Sequence, residues 1–532
     1  MSVVTNPYSG VTLTARTVRS TGNMTATPPA IFDIIERAVA ASPDRTALVF
    51  GEQTWTWRQL HDRILRLAGA LRTEGIGPGD RIAFLDKNHP ACLETTFAAS
   101  LLGAAHAVVN FRLSAEELVY LINDSTAEVL IVGAEFAGTV DSIRAELPNL
   151  RRIVILGGDQ DEYESLVACG SPLQDRHPSE PSDCFLQLYT SGTTGRPKGA
   201  MLTQSSLAAH NEALLPAYGM DESTVNLVAM PMFHVGGTCW ALGGMCAGGR
   251  TVIAREVIPA DILKLVVDAN ITHAFFVPAV IQMLLAQEGV AEATKGLEVI
   301  GYGGSPMPGP LMDATLNALS TPLYSVYGMT EMSGVFCVLG PEEHRDLDRQ
   351  HLRASAGRPL TGNEVRVVDP STGSDVPVGK VGEFWVKSAQ TMAGYWNKPE
   401  ATDEAFVDGW LRTGDAGRMD QDGYLFIEDR VKDMVITGGE NVYPAEVERV
   451  LIEHPDIAEV AVIGVPSEKW GETVHAVITP RGSSTPDAAA LIAFARERLA
   501  HYKCPTGITF VTELPRNPTG KVLKRELKSL VA

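Results

Sequence analysis

The stretch that decides the fold is Tyr189-Thr-Ser-Gly-Thr-Thr-Gly-Arg-Pro-Lys198-Gly199, which follows the apolar run 184–188. Three glycines and four Ser or Thr residues within eleven positions favour a loop whose backbone N–H groups turn inward on phosphate oxygens, and Lys198 adds a positive charge. The stretch is not a Walker A loop, because Gly199 stands where that motif has Ser or Thr and the glycine spacing differs. It predicts a phosphate-binding loop at the end of a strand, with a Gly/Thr-rich surface turn as the alternative.

Around this loop, short β-branched runs alternate with helical patterns from about residue 30 to residue 323. The segments between the runs, such as 57–73 and 115–124, carry apolar residues at three- and four-residue spacing, which is typical of amphipathic helices. This alternation predicts βαβ units in buried, mostly parallel sheets with helices on both faces. The predicted strands are 46–50, 81–85, 128–132, 152–156, 226–230, 251–254 and 273–277.

The pattern changes twice towards the C-terminus. After about residue 357, alternating runs at 364–369 and 382–388 predict a β-rich subdomain, and after residue 430 helices and strands of a small α+β unit follow. We therefore expect an α/β protein with three parts: a flexible polar leader of residues 1–28, a large N-terminal domain of residues 29–430, and a small mobile C-terminal domain of residues 431–532. The leader lacks the apolar segment of a signal peptide.

Composition and charge narrow the class of protein. The formal net charge of −20 argues against binding to nucleic acid or to an anionic membrane surface. The most apolar stretch, 96–109, is shorter than the roughly 20 residues that span a bilayer, so no integral membrane segment is expected. Seven scattered cysteines without metal-ligand spacing are typical of reduced thiols, which favours a cytoplasmic protein and indicates no zinc site.

Four further motifs follow the glycine-rich stretch: Tyr327-Gly-Met-Thr-Glu331, Trp410-Leu-Arg-Thr-Gly-Asp415, Asp429-Arg-Val-Lys-Asp433 and Asn517-Pro-Thr-Gly-Lys521. In this order and spacing, from about residue 30 to residue 528, the chain resembles the adenylate-forming superfamily of acyl- and aryl-CoA synthetases, peptide-synthetase adenylation domains and firefly-type luciferases. The resemblance implies an ATP-dependent acid:CoA ligase. Such an enzyme converts a carboxylate and ATP to an acyl-adenylate and pyrophosphate, and then transfers the acyl group to coenzyme A with release of AMP.

The resemblance also implies an ATP site. Tyr327 would stack on adenine beside the Gly303-Gly304-Ser305 turn, Asp415 would accept both ribose hydroxyls, and Arg430 would contact the ribose. Glu331 would hold Mg²⁺ together with Thr190, in keeping with the preference of Mg²⁺ for a carboxylate plus phosphate oxygens. The predicted ATP-binding residues are Thr190, Ser191, Gly192, Thr193, Thr194, Gly195, Lys198, Gly303, Gly304, Ser305, Tyr327, Gly328, Met329, Thr330, Asp415, Ile427, Arg430 and Lys521.

Three residues are predicted to be catalytic: Lys521, Thr330 and His234. By the resemblance, Lys521 acts in the first half-reaction and Thr330 contacts the α-phosphate. The chemistry needs such a cation, because the substrate carboxylate must approach an anionic phosphate.

The resemblance further places a hinge at Lys432, about which the C-terminal domain would rotate. The rotation would withdraw Lys521 and bring in a CoA-binding loop with Gly438, Gly439 and Glu440. Trp470 would line the CoA entrance, with interdomain packing as its alternative.

The acid substrate is predicted from the segment around His234. Domains that activate amino acids carry an Asp at this position, and its absence disfavours a cationic substrate, whose charge would be buried without a partner. By similarity His234 gates the carboxylate site, although an ordinary core histidine is the alternative. The predicted acyl pocket consists of His234, Val235, Gly237, Thr238, Phe276, Val280 and Tyr302.

Small residues near this segment, Ala241, Gly243, Gly244 and Ala279, favour a tunnel for a medium- or long-chain fatty acid. An aryl, cinnamate-like or branched acid is the alternative substrate. Rival functions are an acyl-AMP ligase that loads a carrier protein, a luciferase-like oxidative enzyme, and a non-catalytic relative. The sequence leaves open the identity of the acid, the pathway, and whether the protein is a monomer or a homodimer.

Overall fold

The structure is a computed structural model that describes residues 30–190, 196–437, 440–467, 469–482, 486–516 and 522–531. Several predicted features therefore lie outside the described residues: the leader, the loop positions 191–195, Gly438, Gly439 and Lys521. Within the described ranges the chain forms four β-sheets with helices packed against them. None of the helices in these ranges combines the length and the apolar character that crossing a membrane requires.

The first sheet has six strands and ends on the phosphate-loop hairpin. Five strands are parallel and the last is antiparallel to its neighbour. In spatial order they are Arg152–Leu156, Val129–Gly133, Arg81–Leu85, Ala105–Val108, Cys184–Thr190 and Lys198–Thr203. The associated helices are Trp57–Thr73, Pro90–Leu102, Ala115–Ser125, Ala134–Ser142, Glu162–Cys169 and Gln204–Tyr218, with a 3₁₀ turn at Arg144–Glu146. The helix Pro90–Leu102 is buried along its whole length, which explains why apolar residues occur on all its faces.

The second sheet has nine strands, of which the six central ones are parallel. In spatial order the strands are Arg358–Pro359, Gly334–Leu339, Leu323–Met329, Val299–Gly303, His273–Phe276, Val225–Val228, Arg250–Ile253, Thr46–Phe50 and Gln53–Thr56. Its helices are Asp33–Ala41, Val235–Cys246, Pro259–Asp268, Pro278–Leu285, Val290–Ala293, Gly309–Ala318 and Pro341–Arg345. Short 3₁₀ turns lie at Thr330–Met332 and Gln350–Ala354. The first two sheets share one hydrophobic core.

The third sheet is antiparallel and is built from Asn363–Val368, Gly382–Ser388, Trp410–Met419, Phe406–Val407 and Leu425–Arg430, with the helix Pro399–Ala405 beside it. The 3₁₀ turn Val431–Asp433 follows directly. The fourth sheet contains Glu440–Val442, Val435–Thr437, Gly471–Pro480, Ile457–Ser467 and Gly507–Phe510. It packs against the helices Pro444–Leu451, Ala488–Arg496 and Lys524–Val531, and a 3₁₀ turn lies at His501–Lys503.

The predicted α/β fold is confirmed, because each of the seven predicted strands coincides with a strand of the structure to within one or two residues. Their apolar, β-branched runs are local signals, and all seven lie in the parallel parts of the two large sheets. The antiparallel strand Lys198–Thr203 was not predicted, since it begins within the glycine-rich motif. The domain boundaries at residues 29 and 431 stay a prediction.

Candidate active site

Three of the predicted nucleotide residues meet at the edge between the second and third sheets. The hydroxyl of Tyr327 donates a hydrogen bond to Oδ2 of Asp415 at 2.7 Å, and Nε of Arg430 lies 2.8 Å from Oδ1 of the same carboxylate. Arg430 also donates from Nη1 to the carbonyl of Thr413. The antiparallel register places Asp415 directly opposite Arg430. Both carboxylate oxygens are therefore held by donors from two different strands.

Two groups of this cluster, Tyr327 and Arg430, have pKa values above their usual range. Burial, followed by the neighbouring Asp415, raises the pKa of Tyr327 well above its usual range, so its hydroxyl stays a proton donor. Burial alone would lower the pKa of Arg430, but the negative charges of Asp415 and Glu331 raise it. Arg430 is the more exposed partner, with a third of its side chain accessible against 9% for Asp415. The cluster can thus offer a fixed anionic acceptor beside an exposed guanidinium.

A second cluster surrounds Glu331, which lies in the 3₁₀ turn Thr330–Met332 and is buried. Its Oε1 accepts a 2.7 Å hydrogen bond from the hydroxyl of Tyr395. The ring of that tyrosine lies 4.3 Å from Nζ of Lys198, close enough for a cation–π contact. Sequence reasoning missed Tyr395, because a tyrosine in a Gly/Trp/Asn-rich turn carries no chemical signal of its own.

The glycine-rich hairpin lies beside the Glu331 turn. Thr190 and Lys198 are paired across the hairpin, and both of its strands contact the turn Thr330–Met332. The structure therefore brings the described ends of the predicted phosphate loop next to the predicted magnesium residue. A single fixed carboxylate together with a threonine hydroxyl suits Mg²⁺, which binds through one or two carboxylates and phosphate oxygens.

The predicted adenine turn lies on the strand next to Tyr327. Gly303 is paired with Val326, and a Cβ on Gly303 would lie 2.5 Å from that valine side chain, so only glycine fits. Gly304 follows with a φ of +80°, and it is exposed together with Ser305. Ile427, on the strand Leu425–Arg430, is partly exposed. Gly328 and Met329 complete the strand that carries Tyr327.

His234 lies at the N-terminus of the helix Val235–Cys246, and its ring lies 4.5 Å from that of Phe233. The turn before it is fixed by the Thr238 hydroxyl, which donates to the Met232 carbonyl, and by Gly237, where a Cβ would lie 2.2 Å from the carbonyl oxygen of Pro231. Gly237 and Thr238 are fully or almost fully enclosed in this turn. They hold the backbone that presents the half-buried His234 and Val235.

Strand alternation places the residues of the predicted acyl pocket on two different faces of the second sheet. Phe276 and Tyr302 are paired on adjacent strands, and Phe275 is paired with Gly301. Neighbouring residues of a strand point to opposite faces. Phe275 is on the face of the helix Val235–Cys246, since a Cβ on Gly236 would lie 3.1 Å from its ring.

Phe276 and Tyr302 face the other way. Phe276 packs among apolar residues such as Ile262 and Leu284, and the Tyr302 hydroxyl is 2.8 Å from Nε2 of His344. Phe276 and Tyr302 therefore lie on the opposite face of the sheet from Phe275, and their place in the acyl pocket stays a prediction. Val280 is buried in the first turn of the helix Pro278–Leu285.

Three of the four small residues predicted to leave a tunnel are covered by their neighbours, whereas Ala279 is exposed. A Cβ on Gly244 would lie 2.4 Å from the Asn226 side chain, and one on Gly243 would lie 3.4 Å from Leu214. Ala241 is fully buried. These residues let the helix pack closely on the strand Val225–Val228 and on the preceding helix.

Large aromatic rings cluster with Phe275 on the side of the second sheet that carries the helix Val235–Cys246. The Trp240 ring lies 5.8 Å from Phe275 and 5.6 Å from Tyr218, which in turn lies 5.1 Å from Tyr324. Gly301 faces the rings of Phe275 and Trp240, because a Cβ there would lie 3.2 Å from Phe275 and 3.8 Å from Trp240. The region behind His234 is therefore bounded by aromatic side chains.

The remaining predicted residues belong to the C-terminal part. Lys432 is exposed in the 3₁₀ turn directly after Arg430, and Glu440 begins the strand Glu440–Val442. Trp470 is 48% exposed, with Nζ of Lys469 4.5 Å from its ring, so in this structure it is not buried between domains. Its role in binding CoA, like the hinge at Lys432, stays a prediction.

Known proteins resemble the chain along most of its length. The model of the AMP-binding enzyme family matches residues 35–396, and that of the AMP-binding enzyme C-terminal domain matches residues 446–521. The chain is 38% identical to the fatty acid–acyl-carrier-protein ligase ScoC of Streptomyces coeruleorubidus, over 91% of this chain and 93% of that protein. It is also 38% identical to a feruloyl-CoA synthase of Amycolatopsis sp, over 92% and 97%.

Among solved structures, the o-succinylbenzoate CoA synthetase of Bacillus subtilis in complex with its acyl-adenylate intermediate superposes with a TM-score of 0.83. The match has 29% sequence identity and covers 93% of this chain and 97% of that one.

Proposed function

This chain belongs to the AMP-binding enzyme family of adenylate-forming enzymes, and we propose that it is an ATP-dependent ligase that joins a carboxylic acid to the thiol of coenzyme A. The observation that carries the proposal is the meeting of Tyr327, Asp415 and Arg430 beside the cluster of Glu331, Tyr395 and Lys198. One cluster offers a fixed carboxylate acceptor for a ribose, and the other offers a carboxylate and an ammonium group for a magnesium-bound polyphosphate.

The nucleotide would be held through its ribose by Asp415. A carboxylate has about four lone-pair sites, and Tyr327 and Arg430 each fix one oxygen of Asp415. Because both oxygens are already fixed by donors, the carboxylate does not need to reorient when the nucleotide binds.

Glu331 and Thr190 would hold Mg²⁺, with phosphate oxygens as the further ligands. The ion would neutralise charge on the phosphates as the reaction proceeds. Tyr395 keeps the Glu331 carboxylate in place by donating to Oε1, so the second oxygen is oriented independently of the ion. Lys198 contributes a positive charge on the same side.

In the first half-reaction, a carboxylate oxygen of the acid attacks the α-phosphorus of ATP, and the bond between this phosphorus and the bridging oxygen of pyrophosphate breaks. Lys521, which lies outside the described residues, would lie between the two anions and stabilise the transition state. In the second half-reaction, the CoA thiol loses its proton and its sulfur attacks the acyl carbonyl carbon. The bond from this carbon to the phosphate oxygen breaks, and AMP leaves with the former carboxylate oxygen.

The aromatic surroundings of the acid site support an aromatic acid as the substrate. Phe275 and Trp240 lie against Gly301, and rings of this kind favour flat aromatic partners at offset or edge-on geometry. The feruloyl-CoA synthase and the succinylbenzoate enzyme are relatives that act on aromatic acids. We therefore propose an aromatic acid as the substrate, in preference to the fatty acid that the sequence favoured.

A second candidate is the transfer of a fatty acyl group to a carrier protein, which the similarity to ScoC favours. A screen of aryl, fatty, branched and amino acids separates the two, with AMP release measured with and without CoA and acyl-CoA identified by mass spectrometry. The proposal predicts CoA-dependent AMP release with an aryl acid. Acyl-adenylate without any acyl-CoA would favour a carrier protein as acceptor, and activity with amino acids alone would refute the proposal.

The variant Lys521→Ala tests whether Lys521 acts in the first half-reaction only. It should abolish acid-dependent ATP–pyrophosphate exchange and leave CoA transfer from preformed acyl-adenylate largely intact, because only the first step requires a cation between two anions. Lys528→Ala, an exposed lysine on the following helix, is the matched control. Equal loss of both half-reactions would contradict the assignment.

A further inference from the structure

A buried carboxylate behind the glycine-rich hairpin takes no part in the proposed chemistry. Asp124 lies in the last turn of the helix Ala115–Ser125, and 7% of its side chain is exposed. Its Oδ2 accepts from the hydroxyl of Tyr189 at 3.1 Å, and its Oδ1 lies 2.6 Å from Nζ of Lys398. This second contact is an ion pair that joins residues 274 positions apart in the sequence.

The same helix contacts the other end of the hairpin through Tyr120. The Tyr120 hydroxyl donates to the carbonyl of Pro197 at 3.0 Å and lies 3.3 Å from Oδ1 of Asp124. The guanidinium of Arg196 lies 4.8 Å from the centre of the Tyr120 ring. One turn of one helix therefore contacts the residue before Thr190 and the two residues before Lys198, which flank the predicted phosphate loop.

Lys398 connects this helix to the segment that holds Glu331, the predicted magnesium ligand. It follows Tyr395, whose hydroxyl holds Glu331, in a segment that is hydrogen-bonded to the hairpin from Trp396 N–H to the carbonyl of Gly199. The hydrogen bond and the charge of Asp124 raise the pKa of Lys398, although burial works against this. Asp124 thus lies where the hairpin, the helix and the Tyr395 segment meet.

We propose that Asp124 is a positioning residue for the adenylation step, which fixes the ends of the phosphate loop relative to the residue that holds Mg²⁺. This rests on the proposed function. Asp124 acts through Tyr189 and Lys398 and does not touch the nucleotide. Its loss should misplace the loop without removing any phosphate ligand, and small misplacements in such sites reduce rates by up to about 100-fold. CoA transfer begins after pyrophosphate has left, so it should not depend on Asp124.

The test is Asp124→Asn, which keeps the shape of the side chain and removes the charge that pairs with Lys398. The expected result is a rise of about tenfold in KM for ATP in acid-dependent ATP–pyrophosphate exchange, as for the loss of one charge-assisted hydrogen bond. The KM for the acid and the rate of CoA transfer from preformed acyl-adenylate should stay within twofold of wild type. Glu116→Gln, the same chemical change at an exposed position of the same helix, is the matched control.

Tyr120→Phe is a second test, because it removes only the hydroxyl that contacts the Pro197 carbonyl and Oδ1 of Asp124. Tyr120→Phe should also raise KM for ATP. If Asp124→Asn does not fold, the Tyr120→Phe result alone tests the proposed positioning role. An unchanged KM for ATP, or an equal loss of both half-reactions, would overturn the inference. Absence of exchange in the wild-type enzyme would instead refute the proposed function, so the two failures are distinguishable.

Discussion

The substitution Tyr327→Phe tests whether the Asp415 cluster is built for a nucleotide. It removes one hydroxyl oxygen, and with it the 2.7 Å hydrogen bond to Oδ2 of Asp415. The ring and its packing against Phe336, 4.6 Å away, remain. Arg430 continues to hold Oδ1 at 2.8 Å, so the carboxylate stays paired but loses the donor on Oδ2 that Tyr327 supplies.

The size of the effect follows from the charge of the acceptor. A hydrogen bond to a charged group contributes about 1.5 to 3 kcal/mol. At about 1.4 kcal/mol per factor of ten, this range corresponds to roughly 10- to 150-fold in kcat/KM for ATP. Because Arg430 remains and the ribose supplies new donors, we expect a loss near the lower limit, about tenfold. The change should lie mainly in KM for ATP, with little change in KM for the acid.

The chain offers an almost identical arrangement as a control. The hydroxyl of Tyr163 donates to Oε2 of the buried Glu94 at 2.7 Å, and Nε of Arg63 lies 2.5 Å from Oε1. Tyr163→Phe therefore removes the same type of hydrogen bond from the same type of ion pair, away from the candidate site. Both variants should lower the midpoint of thermal unfolding.

The assay is ATP–pyrophosphate exchange at varied ATP, with thermal unfolding measured on the same samples. Only Tyr327→Phe should change the kinetics. If the two tyrosine variants changed KM for ATP equally, or if neither did, the assignment of the Asp415 cluster to the nucleotide would be refuted.

Two further predictions concern charge. Glu331→Gln keeps an acceptor for Tyr395 but removes the negative charge. Half-maximal ATP–pyrophosphate exchange should therefore require at least about ten times more Mg²⁺. An unchanged magnesium titration would exclude Glu331 as a ligand. Stability should decline in acid, because burial lowers the pKa of His89 to about 4, of His106 to about 3 and of His210 to about 4. Below about pH 6.5 the unfolded chain binds protons that the folded chain does not, so the free energy of unfolding should fall towards pH 4 by up to about 1.4 kcal/mol per pH unit and histidine. Equal unfolding midpoints at pH 7.5 and pH 5 would contradict this.

Much of the fold could be predicted from the sequence, because the signals of buried parallel strands are local. Runs such as Arg81–Leu85 are apolar throughout, and each is bounded by a helical pattern whose period is visible in its own residues. The motifs around Lys198, Tyr327, Asp415 and Arg430 could also be recognised in the sequence, because their order and spacing carry the family resemblance. The close packing of Ala241, Gly243 and Gly244 against their neighbours had no such local signal.

The sequence by itself determined which chemical groups the protein carries and which strands present them. Only the tertiary structure decided which of these groups meet. Tyr395 holds Glu331 across 64 residues, Asp124 meets Lys398 across 274, and Phe275 rather than Phe276 faces the helix after His234. The physical reason is that a strand or turn is specified by neighbouring residues, whereas a hydrogen bond between distant side chains depends on how whole sheets and helices pack.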